Sequence, residues 1–229
     1  MKTLLAIHSW PGANEIVARH WPYFLKQGAD EIWGIGTNDN GCKWPEGIQW
    51  QNVGRNSYID GSHLPQRMLD TLTQMLSLDL WNTLILTEYD TVFFNRIPVE
   101  NLKHCLAGHY AGGPTWGSKA NCFYHNPWVF DRNIVMDFVV EGHDAIKEGI
   151  CPDRHRGQPP AAECSPDVFF AYIAQRLGYT VQDDLWREYS RNDLKDPERL
   201  EGARKAYQDG VDIIHGIKTQ DELNYITQP

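Results

Sequence analysis

The sequence predicts an α/β fold, with a mixed, mostly parallel central sheet flanked by helices. Three observations predict it. Strand-like and helix-like segments alternate through the first part of the chain, the pattern of a sheet wrapped by crossover helices. The run Leu84-Ile85-Leu86 is apolar without alternation, as in a strand buried on both faces. The chain of 229 residues is long enough for one such domain, or at most two small ones, to bury a sizeable core.

Thr3-Leu4-Leu5-Ala6-Ile7-His8 reads as the first buried strand, and Ser9-Trp10-Pro11-Gly12 breaks it. A helix follows over residues 13–27, with Ile16, Val17, Phe24 and Leu25 as apolar contacts. Pro22 is expected to kink or restart it, because proline lacks a donor and clashes one turn back. Gly28 is the expected stop. Residues 31–36 read as a second strand, 37–47 as a loop rich in Asn, Asp, Gly and Pro, and 47–53 as an alternating third strand. Ser62 is placed to cap a helix over 64–78, where Leu64, Met68, Leu72, Met75 and Leu76 recur at helical spacing. That helix leads into the central strand. Further on, residues 109–114 leave a strand for a Gly-rich turn, 123–130 are aromatic and extended, 133–140 are helical, and 148–163 form a loop. Pro166 stands where proline opens a helix. That helix carries Val168, Phe169, Tyr172, Ile173 and Leu177 and ends near Gly178. Residues 183–210 read as exposed helix and loop, and 211–215 as a last short strand. No repeat or linker demands a second domain, so one domain is expected over residues 1–229.

A hydrophobic share of 41% and a charged share of 22% are ordinary for a soluble globular chain. The formal net charge of −9 disfavours non-specific binding to nucleic acid or anionic membrane, while leaving room for a local basic patch. Nine Trp, ten Tyr and eight Phe either fill a core or line a pocket for a flat ring or a sugar. No apolar run is long enough to cross a bilayer. Residues 1–10 lack the small-residue cleavage site of a signal peptide. A cytoplasmic protein is therefore expected. Five cysteines without paired spacing argue against a disulfide framework. Cys151 and Cys164, near His155, form no CxxC pair and read as free thiols rather than zinc ligands.

The central run ends in Glu88-Tyr89-Asp90. Residues i and i+2 of a strand point to the same side. Both carboxylates can therefore face one point at the carboxyl end of a central strand, where open α/β sheets bind ligands. Two like charges so close repel each other and are costly to bury. A divalent cation that takes hard oxygen ligands, Mg²⁺ or Mn²⁺, resolves the conflict. An ordinary turn at a strand end accounts for the same residue types, and this stretch alone does not decide between the two.

Three later stretches extend the pattern in order: Tyr110-Ala111-Gly112-Gly113, then Ser165-Pro166-Asp167 opening a helix through Val168-Phe169-Phe170, then Ile214-His215-Gly216-Ile217-Lys218. Over nearly its whole length the chain resembles the GT-A glycosyltransferases. Glu88-Tyr89-Asp90 looks like their DxD motif, and Gly112-Gly113 like the glycine loop that follows. Asp167 looks like the acceptor-side acid, and His215 like the carboxyl-terminal metal-binding histidine. The resemblance implies a single GT-A-like domain with a Rossmann-like, nucleotide-sugar-binding half over residues 1–98. Residues 99–229 would then hold the acceptor-binding half and the metal-binding segment. The chain departs from the pattern at Glu88, which stands for the first Asp, and at Pro166, which stands for the usual Glu, with Glu163 four residues before Asp167. Lys218 is followed by Thr219-Gln220 rather than the Pro-Trp of some retaining members, so their stereochemistry is not carried over.

The resemblance implies a metal-dependent, inverting glycosyltransferase that moves a sugar from a nucleoside-diphosphate sugar to a hydroxyl of a glycan or small molecule. Asp90 is then a direct ligand of Mn²⁺ or Mg²⁺, and Glu88 binds the metal through water or holds the donor ribose. His215 supplies an imidazole suited to Mn²⁺, and Lys218 neutralises the β-phosphate. His8, Ser9, Thr37, Arg67 and Tyr89 border the donor. Asp167 is the candidate general base, its pKa expected to be lowered at the start of a helix. Gly112 and Gly113 let backbone approach the acceptor closely, and Trp116, Tyr124 and Trp128 stack on it. Each has a plainer reading: a strand-end histidine, a solvated lysine, a first-turn acid that only stabilises its helix, a surface arginine, core aromatics. Three other functions fit less well. Transfer to a modified base in DNA is opposed by the net acidity. A nucleotide-sugar-binding protein without transfer would use the same residues. A nucleotidyltransferase would carry a Gly-rich basic loop where Ser9-Trp10-Pro11-Gly12-Ala13 stands.

Overall fold

Leu4, Leu5, Ala6 and Ile7, and likewise Leu84, Ile85 and Leu86, are apolar at consecutive positions, so each strand has two faces to bury. The computed structural model describes residues 2–36, 41–46, 48–52, 64–78, 81–112, 123–149, 166–190 and 196–228, and places both runs at the centre of a sheet. In chain order the elements are β1 (Thr3–His8), α1 (Asn14–Leu25), β2 (Glu31–Gly36), β3 (Gln49–Asn52), α2 (Leu64–Ser77), β4 (Thr83–Glu88), β5 (Thr91–Phe93), β6 (Leu106–Gly112), β7 (Phe123–Asp131), α3 (Arg132–Lys147), α4 (Pro166–Leu177), β8 (Glu188–Tyr189), α5 (Glu198–Gln208), β9 (Ile213–His215) and α6 (Gln220–Thr227). Short 3-10 turns lie at Pro11–Ala13 and Val99–Asn101.

The large sheet has the order β3-β2-β1-β4-β7-β6. β3, β2, β1 and β4 run parallel, while β7 is antiparallel to both β4 and β6, so the sheet is mixed. His8 pairs with Glu88, and Leu86 pairs with Trp128. Alternation along the strands divides the core. Leu4, Ala6, Leu84, Leu86, Trp128 and Phe130 pack under α2, α3 and α4. Leu5, Ile7, Ile85 and Val129 pack on the other face, against Phe24 of α1 and Phe93, Leu185, Trp186 and Ile213. A second sheet, β5-β9-β8, carries a third cluster with α5 and α6.

Several expectations change. α1 runs unbroken through Pro22. The proline forfeits the one bond its amide would donate to the Ala18 carbonyl, and the helix ends one turn later, where Lys26, Gln27 and Gly28 close i→i−3 bonds. The polar tract 183–210 contains a strand, β8, as well as α5. β5 and α6 were not anticipated. Yet α6 opens with Thr219 and Glu222 in a reciprocal capping box, a signal visible in the spelling Thr-x-x-Glu. The Ser62 cap, Thr37, Gly113, Trp116, Ser165 and the cluster Cys151, His155 and Cys164 lie outside the described residues. No helix among the described residues is long and apolar enough to cross a membrane.

Phe130 joins the sheet to two helices. Its ring lies 5.2 Å from Phe138 and 5.4 Å from Phe170, edge to face in both cases. Phe130→Ala should cost about 3–5 kcal/mol, read as a lowered midpoint with an unchanged slope in urea unfolding.

Candidate metal centre

β4 ends at Glu88, and the chain turns through Tyr89 and Asp90 into β5. Two interactions hold this turn. His20 on α1, fully buried, bonds the Tyr89 carbonyl through Nδ1 at 3.1 Å. A carbonyl only accepts, so Nδ1 carries the proton. The Asp90 carbonyl accepts from the amides of Gly216 at 3.1 Å and Ile217 at 3.2 Å. The chain reaches that position because Gly216 takes φ 84°, a left-handed value that suits glycine. One residue earlier, His215 faces Thr91 across the antiparallel pair of β5 and β9.

A chain of hydrogen bonds then sets the donor atoms. The Asn126 amide Nδ2 donates to Glu88 Oε2 at 3.3 Å, and the Thr91 hydroxyl donates to Asn126 Oδ1 at 3.2 Å. Thr91 has spent its only proton, so its 3.2 Å contact with His215 Nδ1 requires that nitrogen to donate. In neutral His215 the lone pair of Nε2 then faces Asp90 Oδ1 at 3.6 Å and Glu88 Oε2 at 3.8 Å. Asp90 Oδ1 is buried without a hydrogen-bond donor. With both carboxyls ionised and His215 neutral, three electron-pair donors converge and only Glu88 Oε2 is met by a hydrogen-bond donor, an arrangement that is costly to bury. Ligand atoms about 2.1 Å from a Mg²⁺ ion stand about 3.0 Å apart at right angles and about 4.2 Å apart across it. The observed separations fall between these limits, and one ligand atom from each of Glu88, Asp90 and His215 lies within 4.8 Å of the others. The residues fit a divalent cation.

Without a cation, protons take its place. Burial, helped by the Asp90 charge, pushes Glu88 up to about 7. Burial works against the His215 imidazolium, but the Asp90 and Glu88 carboxylates outweigh it and raise its pKa. Asp167 lies in the first turn of α4, and its Oδ1 accepts the Asn126 backbone amide at 3.2 Å. Its pKa was expected below the usual carboxylate range. Instead burial lifts it to about 6, against the opposing charges of His125 and His215, so desolvation exceeds the help of the helix terminus.

The other anticipated residues divide. Lys218, more than half exposed, points Nζ at Asp90 Oδ2 from 3.9 Å. Tyr89 hydrogen-bonds the Trp10 side chain. Arg67 is not on the surface: it is 2% exposed, and its Nη2 donates to the carbonyls of Ser9 and Ile35 at the ends of β1 and β2. His8 and Ser9 are buried too. The His8 ring meets Thr71 Oγ1, which donates to the Arg67 carbonyl, so His8 Nε2 donates to Thr71. Arg67 and His8 brace the strand ends, and the Arg67 charge also favours the ionised form of Glu88. Trp128, 1% exposed, lies in the core with its ring 5.4 Å from Phe170, and offers no face for stacking on a sugar. Tyr124 packs between Tyr110 and Trp128. Gly112 closes β6. Reading the sequence missed Asn126, Thr91 and His20, because they are recognisable only by the partners the fold brings to them.

No protein-family model and no curated protein matches the chain. The site therefore rests on its own geometry.

Two outcomes are expected. Mn²⁺ at a hundred times its dissociation constant should stabilise the native chain by about 2.7 kcal/mol, and Asp90→Asn should remove that gain in a thermal-shift titration. The pKa of His20, neutral in the fold, is lowered chiefly by burial to about 4, from the ordinary 6.5 of a histidine. The unfolded chain therefore takes up this proton first. The His20 contribution is complete above pH 6.5 and is lost as pH falls towards 4, by about 3 kcal/mol. His20→Gln should flatten that part of the acid limb in urea unfolding at pH 7 and pH 4.

Proposed function

We propose that this protein is a metal-dependent glycosyltransferase that moves a sugar from a nucleoside-diphosphate sugar to an acceptor hydroxyl, with inversion. The observation that carries the reading is the convergence of Glu88, Asp90 and His215 at the carboxyl end of the central parallel strand, with Asp167 bound to the neighbouring Asn126. Ligands of open α/β sheets collect at that edge. A bound divalent cation supplies Lewis-acid stabilisation of the departing diphosphate. Asp90 and His215 hold it, and Glu88 completes the set or hydrogen-bonds the donor ribose. Lys218 brings a second positive charge to the same edge and faces the phosphate that leaves. A groove of about 720 Å³ begins at Pro11 and Gly12, beside the Trp10 that bonds Tyr89, and runs past Trp21, Lys43 and Trp44. Its aromatic walls and its lysine suit the nucleoside half of such a donor.

In this reading Asp167 accepts the proton of the acceptor hydroxyl. A carboxyl titrating at about 6 is basic enough for that role and still ionised at neutral pH.

The test is a panel of nucleotide sugars incubated with the full chain and Mn²⁺, with release of free nucleoside diphosphate as the readout. Asp90→Asn should abolish release. Asp167→Asn should leave donor binding intact and lower transfer by about 100-fold or more. Full turnover in Asp90→Asn, or no nucleotide sugar bound or consumed by the native chain, would remove the reading.

A further inference from the structure

Beside the metal ligands lies a pair that the steps above leave unused. His125 directly precedes Asn126, whose side chain bonds Glu88 and whose amide bonds Asp167. Glu188 lies on β8, which runs parallel to β9 with Glu188 opposite Ile213, so its strand is paired with the one that ends in His215. His125 Nδ1 faces Glu188 Oε1 at 3.6 Å. The Glu188 side chain is 0% exposed and the imidazole 21% exposed. Trp186 Nε1 donates to the other carboxylate oxygen, Glu188 Oε2, at 3.2 Å and fixes its plane. A buried, anchored carboxylate therefore orients a histidine that reaches solvent. The same charges tie the pair to the cleft: burial opposes the His125 imidazolium, but the Glu188 and Asp167 carboxylates outweigh it.

A base that takes up a proton at each turnover must release it before the next, and Asp167 is only partly exposed. We propose that His125, oriented by Glu188, is the proton outlet of Asp167. The inference rests on the reading of Asp167 as the base. In the transfer step the acceptor oxygen bonds the sugar carbon. The bond from that carbon to the diphosphate oxygen breaks, and its electron pair stays on the diphosphate. The acceptor proton passes to Asp167, from there to the ring nitrogen of His125 turned away from Glu188, and then to water, which restores both residues. His125 touches no reacting atom in this scheme and acts through Asp167, and Glu188 holds its orientation.

Two measurements on the full chain decide the matter. The first needs no substrate: acylation of histidines by diethyl pyrocarbonate, located by peptide mass spectrometry. His125 should react, the buried His8 and His20 should not, and Glu188→Gln should change the His125 rate several-fold. A His125 as inert as His8, or indifferent to Glu188, overturns the oriented pair. The second is Mn²⁺-dependent turnover of nucleotide sugars. His125→Ala should lower kcat by about 100-fold at an unchanged donor KM, and added imidazole should restore part of it, which a packing defect would not allow. His125→Asn serves as a second variant should the alanine chain fold poorly. Full turnover in the His125 variants while Asp167→Asn is inactive overturns the outlet and leaves Asp167 as the base. Full turnover in Asp167→Asn, or none in the native chain, overturns the base and the outlet together.

Discussion

Two carboxylates end a buried strand, and an imidazole lone pair is turned toward them. The rest of this structure depends on that electrostatic conflict. Glu88 and Asp90 sit two residues apart, and Asp90 is almost fully buried. Leaving both charged in a low-dielectric site is unfavourable, so something positive must sit among them. The surroundings keep the conflict open. Thr91 and Asn126 use their hydrogen-bonding capacity to fix one tautomer of His215 and one oxygen of Glu88, and neither donates to Asp90 Oδ1. A core selected only for stability would put a donor there.

The two sheets divide the work. The large sheet supplies rigidity: β4 is paired on both sides, with β1 and β7, and covered on both faces, so Glu88 is presented from a strand with little freedom. The small sheet supplies convergence. β9 brings His215 to β5, and β8 brings Glu188 beside it. The buried arginine Arg67 has a comparable structural task, tying the ends of β1 and β2 through their carbonyls.

The large sheet was legible in the sequence because its signals are local. Unbroken apolar runs, a helical repeat from Leu64 to Leu76 and a proline opening α4 all act within one element. The antiparallel course of β7 was not legible, because strand direction depends on how a chain returns to the sheet. Glu88 and Asp90 could be picked out by strand alternation, and His215 only through the resemblance carried by the stretch Ile214 to Lys218. Asn126 and Glu188 could not, since an asparagine in an aromatic strand and a glutamate in a polar tract carry no mark of their partners. Burial explains the other misjudgements. Arg67 was read as a surface residue because arginine usually is one. Asp167 was read as acidic because the helix terminus can be seen in the sequence and the desolvation cannot.

The contact between Thr91 and His215 joins residues 124 positions apart. Closing a flexible loop of that size costs about 4 kcal/mol of chain entropy. A cation shared by Asp90 and His215 would bridge the same loop and act as a reversible crosslink. It would favour the closed chain over the open one and leave the large sheet largely unaffected. Metal depletion would then loosen the carboxyl-terminal quarter before the rest of the molecule, and protease sensitivity beyond β8 would report metal occupancy.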